Sequence, residues 1–175
     1  MLTLARVPVA LLAPLVASSP RSLLALYLTG VGTDVIDGMV ARRTGTTSQT
    51  GAYADGIADK LFHIVIGLVL VGWGYVPAWW IPLWFTRELV QAVLIARYYK
   101  TAFEHDDFDR DATALGKATT VLLGLTIVVV LAGFPQAALW LTLAVSLLGL
   151  ASAIGYGRRE ARIRQQRAQQ RSAQG

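Results

Sequence analysis

The sequence predicts an all-α membrane protein, a polytopic bundle of six transmembrane helices. Three observations carry this. Hydrophobic residues make up 54% of the 175 positions and charged residues only 15%, where a soluble domain carries about 25% charged residues. The mean hydropathy is +0.50. The apolar residues also gather into six stretches with no sustained alternation, a pattern of helices rather than of barrel strands.

The first stretch runs from about Leu2 to Ala17. It is short and holds Pro8 and Pro14, which predicts a tilt or kink. With no good cleavage pattern and further apolar segments behind it, it reads as a mature helix rather than a removed signal peptide. The second stretch runs from about Ser22 to Val40 and ends at Arg42-Arg43. The third starts near Thr50 and is wholly apolar from Leu61 to Trp73. The fourth lies between Pro77 and Lys100, the fifth from about Thr113 to Ala132, the sixth from about Gln136 to Tyr156. Crossing a bilayer takes about 20 helical residues, so most of these suffice. Ser19-Pro20, Gly74 to Pro77 and Gly133-Phe134-Pro135 punctuate them. Trp73, Tyr75, Trp79 and Trp80 cluster at one such turn, as an interfacial belt would.

The formal net charge is +5. In a soluble chain that would suggest nucleic acid; here it does not, because the cations sit in loops and a tail. Arg42, Arg43, Arg97, Lys100, Arg110 and Lys117 border the second and fourth connections, and six arginines follow Tyr156. The opposite connections offer only Arg21. The positive-inside rule then places both termini in the cytoplasm. Residues 1–157 form the transmembrane domain and residues 158–175 a basic cytoplasmic tail, a frayed helix near anionic headgroups that serves chiefly as a topology anchor. The absence of cysteine excludes disulfides, thiolate metal sites and cysteine nucleophiles.

Acidic residues concentrate in two places. In the connection Thr101 to Asp111, Asp107, Asp109 and Asp111 have calcium-loop spacing, but Ala112 replaces the required glycine and Ala118 the final glutamate. This reads as a solvated loop. The second concentration differs. Asp34 and Asp37 stand three apart near the end of the second helix, and Asp55 and Asp59 four apart near the start of the third. Both spacings put side chains on one helix face. A short connection with Gly45 makes the two helices antiparallel neighbours, so all four carboxylates converge. Such anions beside a bilayer repel and are costly to desolvate. Divalent cations resolve this, and oxygen ligands suit magnesium or manganese. Gly38 and Gly51 allow close backbone approach, and Arg42, one turn beyond Gly38, is placed to bind phosphate.

Asp34-x-x-Asp37-Gly38-x-x-Ala41-Arg42, eight residues, then Gly51-x-x-x-Asp55-x-x-x-Asp59 resembles the signature of the CDP-alcohol phosphotransferase family at every fixed position and both gaps. The resemblance covers nearly the whole chain and implies a catalytic site between helices 2 and 3 on the cytoplasmic side. It implies a reaction in which an alcohol displaces CMP from a CDP-linked lipid. It implies that Asp34, Asp37 and Asp55 hold two magnesium or manganese ions, with Asp59 sharing one and acting as general base. Gly38, Ala41, Arg42 and Gly51 would line the CDP site. Leu2-Thr3-Leu4-x-Arg6, Ala58-Asp59-Lys60, Arg87-Glu88 and Gly116-Lys117-x-x-Thr120 resemble the phosphatidylglycerophosphate synthase branch. That branch implies CDP-diacylglycerol as donor and glycerol 3-phosphate as acceptor, its phosphate met by Lys60, Arg87 and Lys117. Cardiolipin-type and inositol-phosphate-type synthases share much of the pattern. The family also implies a homodimer. Compact size and the lack of organellar targeting point to a bacterial plasma membrane.

An ion-coupled transporter also uses intramembrane carboxylates, but it predicts an inverted repeat, and the acidic motif occurs once. A catalytically dead relative would have lost a motif residue, and none is lost. His63, in an apolar run, reads as a packed or pore-facing side chain, and His105 as loop surface.

Overall fold

The computed structural model describes residues 6–44, 49–93 and 114–174, all helix and turn, with no strand among them. The chain divides into two compact units, Met1–Ala78 with Val128–Pro135, and Trp79–Ile127 with Gln136–Gly175.

The first unit is built on α1 (Arg6–Val16), α2 (Pro20–Thr44) and α3 (Gln49–Gly72). Helix α2 opens on Ser19, whose hydroxyl accepts the Ser22 N–H at 3.3 Å, with Pro20 at the first helical position. Its buried stripe is Leu23, Tyr27 and Gly30, a 4,3 spacing, and Asp34 continues it by one turn. Helix α3 matches it with Phe62, Ile66 and Leu70, and Asp59 one turn before them. The stripes that bind the helices together therefore carry the carboxylates at one end. Helix α1 packs against both α2 and α3. Arg6 meets Asp34 and Asp59 at its start, and the Tyr75 hydroxyl donates to the Ala17 carbonyl near its end at 2.8 Å. So α1 and α3 run parallel, with α2 antiparallel between their directions. The end of α3 is closed at Gly74, φ 74°: Tyr75 N–H bonds the Leu70 carbonyl at 2.8 Å and Gly74 N–H the Val71 carbonyl at 3.0 Å, a Schellman cap.

Lipid is as apolar as leucine, so helix association in a membrane depends on close packing more than on burial. Gly30 supplies it. A Cβ there would lie 2.7 Å from Phe62 Cζ and 3.3 Å from Val9 Cγ1, and the Phe62 ring is pinned by stacking on Tyr27 at 5.6 Å. Gly30→Ala should destabilise the protein by about 1–3 kcal/mol of overpacking, less the fraction gained in helix propensity. Thermal unfolding in detergent measures this, and a compensating Phe62→Leu should recover part of the loss.

The second unit holds α4 (Trp80–Trp84), α5 (described over 86–93), the larger part of α6 (Ala114–Leu131) and α7 (Pro135–Gln174). Trp84 Nε1 donates to Thr142 Oγ1 at 2.9 Å, and Thr86 Oγ1 lies 3.0 Å from Ser146 Oγ, polar links of the kind that join helices in a bilayer. The fourth stretch, expected as one helix, breaks at Phe85 (φ −105°). The Thr86 hydroxyl takes the carbonyls of Pro82 and Leu83, and such back-bonding bends helices. The end of α6, which belongs to the first unit, repeats the Gly74 solution at Gly133, φ 87°.

Two described helices are long and apolar enough to cross a membrane, Pro20–Val40 and Pro135–Gly155, and Leu115–Leu131 is a shorter apolar helix. The 11 residues of α1 extend about 16 Å, short of a bilayer core. Helix α7 continues unbroken past the apolar segment to Gln174, so the basic tail is an extension of the last helix. The expected aromatic belt divides. Trp73 and Trp79 are exposed, whereas Trp80 is buried against Trp84. The acidic connection 101–113 lies outside the described residues.

Candidate active site

Of the four carboxylates expected to converge, helices α2 and α3 bring Asp34 and Asp59 to one place among the described residues. What joins them is a third residue. Arg6 is buried, 3% exposed, and its guanidinium forks between the two carboxylates. Nη2 bonds Asp34 Oδ1, and Nη1 bonds Asp59 Oδ1 at 3.0 Å. The two carboxylates are each about one-third exposed. A guanidinium stays charged at any physiological pH, so the site has a permanent cation at its floor and carboxylate edges open above it.

Asp34 lies ten residues before the end of α2 and Asp59 ten residues after the start of α3. At 1.5 Å per residue both stand about 15 Å from the hairpin tip. Asp37, Gly38, Ala41 and Arg42 follow Asp34 toward the tip on α2, and Gly51 and Asp55 precede Asp59 on α3. The helical register holds Asp37 and Gly38 within one turn of Asp34, and Asp55 one turn from Asp59. The side chains of Asp37, Ala41, Arg42 and Asp55 lie outside the described residues, as does the surrounding of Gly51. Among the described residues no group of three or more potential metal ligands forms. The two described carboxylates, Asp34 and Asp59, are donors of the kind a hard divalent cation takes. They already converge on one positive group.

Asp59 has a second neighbour. His63, one turn further into α3, places Nδ1 2.8 Å from the Asp59 carbonyl oxygen and 3.5 Å from Asp59 Oδ1. Its Nε2 lies 3.3 Å from the Tyr27 hydroxyl. Neither Arg6 nor His63 was assigned to the site from the sequence. Arg6 had a signal, a charged residue in an apolar opening segment within the Leu2-Thr3-Leu4-x-Arg6 resemblance. His63 had only its polarity in an apolar run.

The residues expected to meet an acceptor phosphate are divided between the two units. Lys60 is exposed on α3, in the first unit. Arg87 and Lys117 belong to the second unit. There the Arg87 guanidinium lies against Gly116 of α6, so that a Cβ at Gly116 would stand 2.7 Å from Cζ, and the Arg87 backbone lies against Gly149 of α7. Among the described residues Arg87 Nε is buried without a hydrogen-bond partner. Among the described residues Arg87 makes no ion pair with Glu88, the neighbour that would have explained it structurally. Lys117 is exposed, next in chain to the glycine that makes room for Arg87.

A family model described as CDP-alcohol phosphatidyltransferase matches residues 1–148. Similar curated proteins include a CDP-diacylglycerol–glycerol-3-phosphate 3-phosphatidyltransferase of Blochmanniella floridana, 32% identical over 78 residues, 45% of this chain and 40% of the relative. The protein of the same name from Yersinia enterocolitica is 36% identical over 71 residues, 41% of this chain and 38% of the relative. A probable phosphatidylglycerophosphate synthase of Mycobacterium tuberculosis is 41% identical over 73 residues, 40% of this chain and 34% of the relative. Each match spans 40% or less of the relative's length. With a family model over 148 of its 175 residues, and with Asp34 of α2 and Asp59 of α3 meeting on Arg6, the chain belongs to the CDP-alcohol phosphatidyltransferase family.

Proposed function

We propose that this protein transfers the phosphatidyl group of CDP-diacylglycerol to glycerol 3-phosphate, giving phosphatidylglycerophosphate and CMP. The observation that carries the reading is the convergence of Asp34 and Asp59 on one buried cation, in a chain of this family. The names of its relatives support the choice of acceptor.

Asp34, Asp37 and Asp55 would hold the metal, with Asp59 sharing it. Arg6 offsets one of four negative charges and a diphosphate adds about two, so two divalent ions bring the site near neutrality. Bound magnesium or manganese would neutralise the diphosphate and stabilise the departing CMP. The chain's residues do the rest. Gly38, Ala41, Arg42 and Gly51 line the CDP side of the hairpin, where Arg42 pairs with phosphate. Asp59 accepts the proton of the acceptor hydroxyl. The hydroxyl oxygen bonds to the lipid-linked phosphorus, and the bond from that phosphorus to the bridging oxygen breaks toward CMP. Lys60, Arg87 and Lys117 receive the acceptor's phosphate. The buried Nε of Arg87, without a hydrogen-bond partner among the described residues, and its seat against Gly116 support its part in this.

The same reading places the chain in a bacterial plasma membrane with six spans, both termini cytoplasmic, the site on the cytoplasmic side, and a homodimer as the working form. Residues 1–157 serve as the membrane domain and 158–175 as the tail. The apolar segments and the loop charge bias support this.

The test is release of CMP from CDP-diacylglycerol by purified protein, with magnesium or manganese and separate additions of glycerol 3-phosphate, phosphatidylglycerol or inositol phosphates. Release that requires glycerol 3-phosphate is the expected result. Release with phosphatidylglycerol or an inositol phosphate instead would move the acceptor, and none with any acceptor in folded protein would overturn the reading. Gly116→Ala should raise KM for glycerol 3-phosphate roughly tenfold, about one charge-assisted hydrogen bond, with KM for CDP-diacylglycerol unchanged. Arg87 can shift rather than unfold the bundle, because its flexible end is what the added methyl meets.

A further inference from the structure

We propose that His63 is a positioning residue for Asp59, held in one tautomer by Tyr27. The inference rests on the reading of Asp59 as the base.

His63 is buried, 6% exposed, and Tyr27 is 1% exposed. Both neighbours of His63 Nδ1 are acceptors, the Asp59 carbonyl oxygen at 2.8 Å and the Asp59 carboxylate at 3.5 Å. Nδ1 therefore carries the proton. In the neutral ring Nε2 is then the acceptor, and the Tyr27 hydroxyl, 3.3 Å away, donates to it. Phe62 closes the cluster, stacked on Tyr27 and edge-on to His63. The imidazole cannot turn without losing both contacts.

The consequence falls on the carboxylate. The Nδ1–H bond fixes the carbonyl of the Asp59 turn and directs a buried positive edge at Oδ1. Arg6 Nη1 bonds the same oxygen from the other side. With Oδ1 bonded by Arg6 and facing the Nδ1–H edge at 3.5 Å, Oδ2 is the oxygen presented to the acceptor hydroxyl. Fixing a reacting carboxylate through its neighbours is how outer residues commonly act at such sites, and their loss typically costs 10–100-fold in activity.

A packing histidine and a positioning histidine predict opposite rankings of two variants. Asn keeps an N–H one bond beyond Cγ, near the place of Nδ1, but buries an amide among aromatic rings. Leu packs well and donates nothing. Steady-state CMP release should show His63→Leu with kcat lowered about tenfold, KM for both substrates within about twofold, and unfolding temperature in detergent near wild type. His63→Asn should recover kcat to within about threefold of wild type. Tyr27→Phe should lower kcat by a smaller factor, and add nothing in the His63→Leu background.

Wild-type kcat in His63→Leu, with Asn the worse variant, would make His63 a packing residue and overturn the inference. Equal loss in folded Leu and Asn variants would also overturn it, because the donated N–H would not be what matters. Asp59→Asn, run alongside, separates the levels. If it is inactive while His63→Leu is normal, only the inference fails. If it stays active, the reading of Asp59 fails and the inference with it.

Discussion

Asp59→Asn should lower kcat for CMP release by ~10²–10⁴-fold while leaving the protein folded, the range a positioned general base contributes. Asparagine keeps the shape of the side chain and one oxygen, so Arg6 Nη1 keeps an acceptor and α1 stays docked. What is lost is the basic oxygen. The expected pattern is a fall in kcat with little change in KM for CDP-diacylglycerol, the mark of an interaction used in the transition state. Asp34→Asn is the informative partner. It removes a proposed metal ligand and weakens the ion pair to Arg6, so its activity should recover in part as magnesium or manganese is raised. Recovery in Asp59→Asn as well would assign Asp59 to metal binding rather than to proton transfer. Undiminished turnover in Asp59→Asn would remove it from the chemistry.

The parts of this site that a sequence reveals are those fixed within one helix. The spacings Asp34/Asp37 and Asp55/Asp59 are read directly as faces, because 3.6 residues per turn leave no choice once the segment is helical. The ends of α3 and α6 are equally legible, since Gly74 and Gly133 adopt the positive φ that closes a helix. What escapes is contact across helices. Arg6 lies 28 residues from Asp34 and 53 from Asp59, and nothing local distinguishes an arginine that docks on carboxylates from one that marks a membrane boundary. Gly30 is silent for the same reason, because its use depends on Phe62, from another helix, filling the space. Trp80 joins the core rather than the belt because the rotation of α4 turns it inward with Trp84, one turn on, and leaves Trp79 exposed, and five helical residues are too few for periodicity to fix that rotation. His63 is the clearest case. Polarity in an apolar run signals that a partner exists, but only the packing of α2 on α3 identifies it as Tyr27.

Arg6→Leu should be the most damaging single change outside the four aspartates, and its effect should depend on divalent metal. Two carboxylates would face each other across an apolar side chain, with the buried charge that reconciles them gone. Breaking a buried ion pair by removing one partner costs about 3–5 kcal/mol. The low end applies here, since Asp34 and Asp59 are about one-third exposed and water screens part of the repulsion. For a chain of this size about 3 kcal/mol corresponds to a fall of roughly 6–12 °C in unfolding temperature. Because the loss is of positive charge, magnesium should restore stability more in Arg6→Leu than in wild type. Arg6→Lys separates charge from shape. One ammonium keeps the charge but lacks the planar fork that reaches two carboxylates at once, so it should preserve stability better than activity. The cycle of Arg6→Leu with Asp34→Asn should be less than additive, since each removes the same pair. Full additivity, or an Arg6→Leu protein as stable in chelator as wild type, would show that the guanidinium does not hold α1 to the motif helices. Loss of activity with Arg6→Lys at undiminished stability would show instead that the fork aligns Asp34 with Asp59, and that the N-terminal helix is part of the active site.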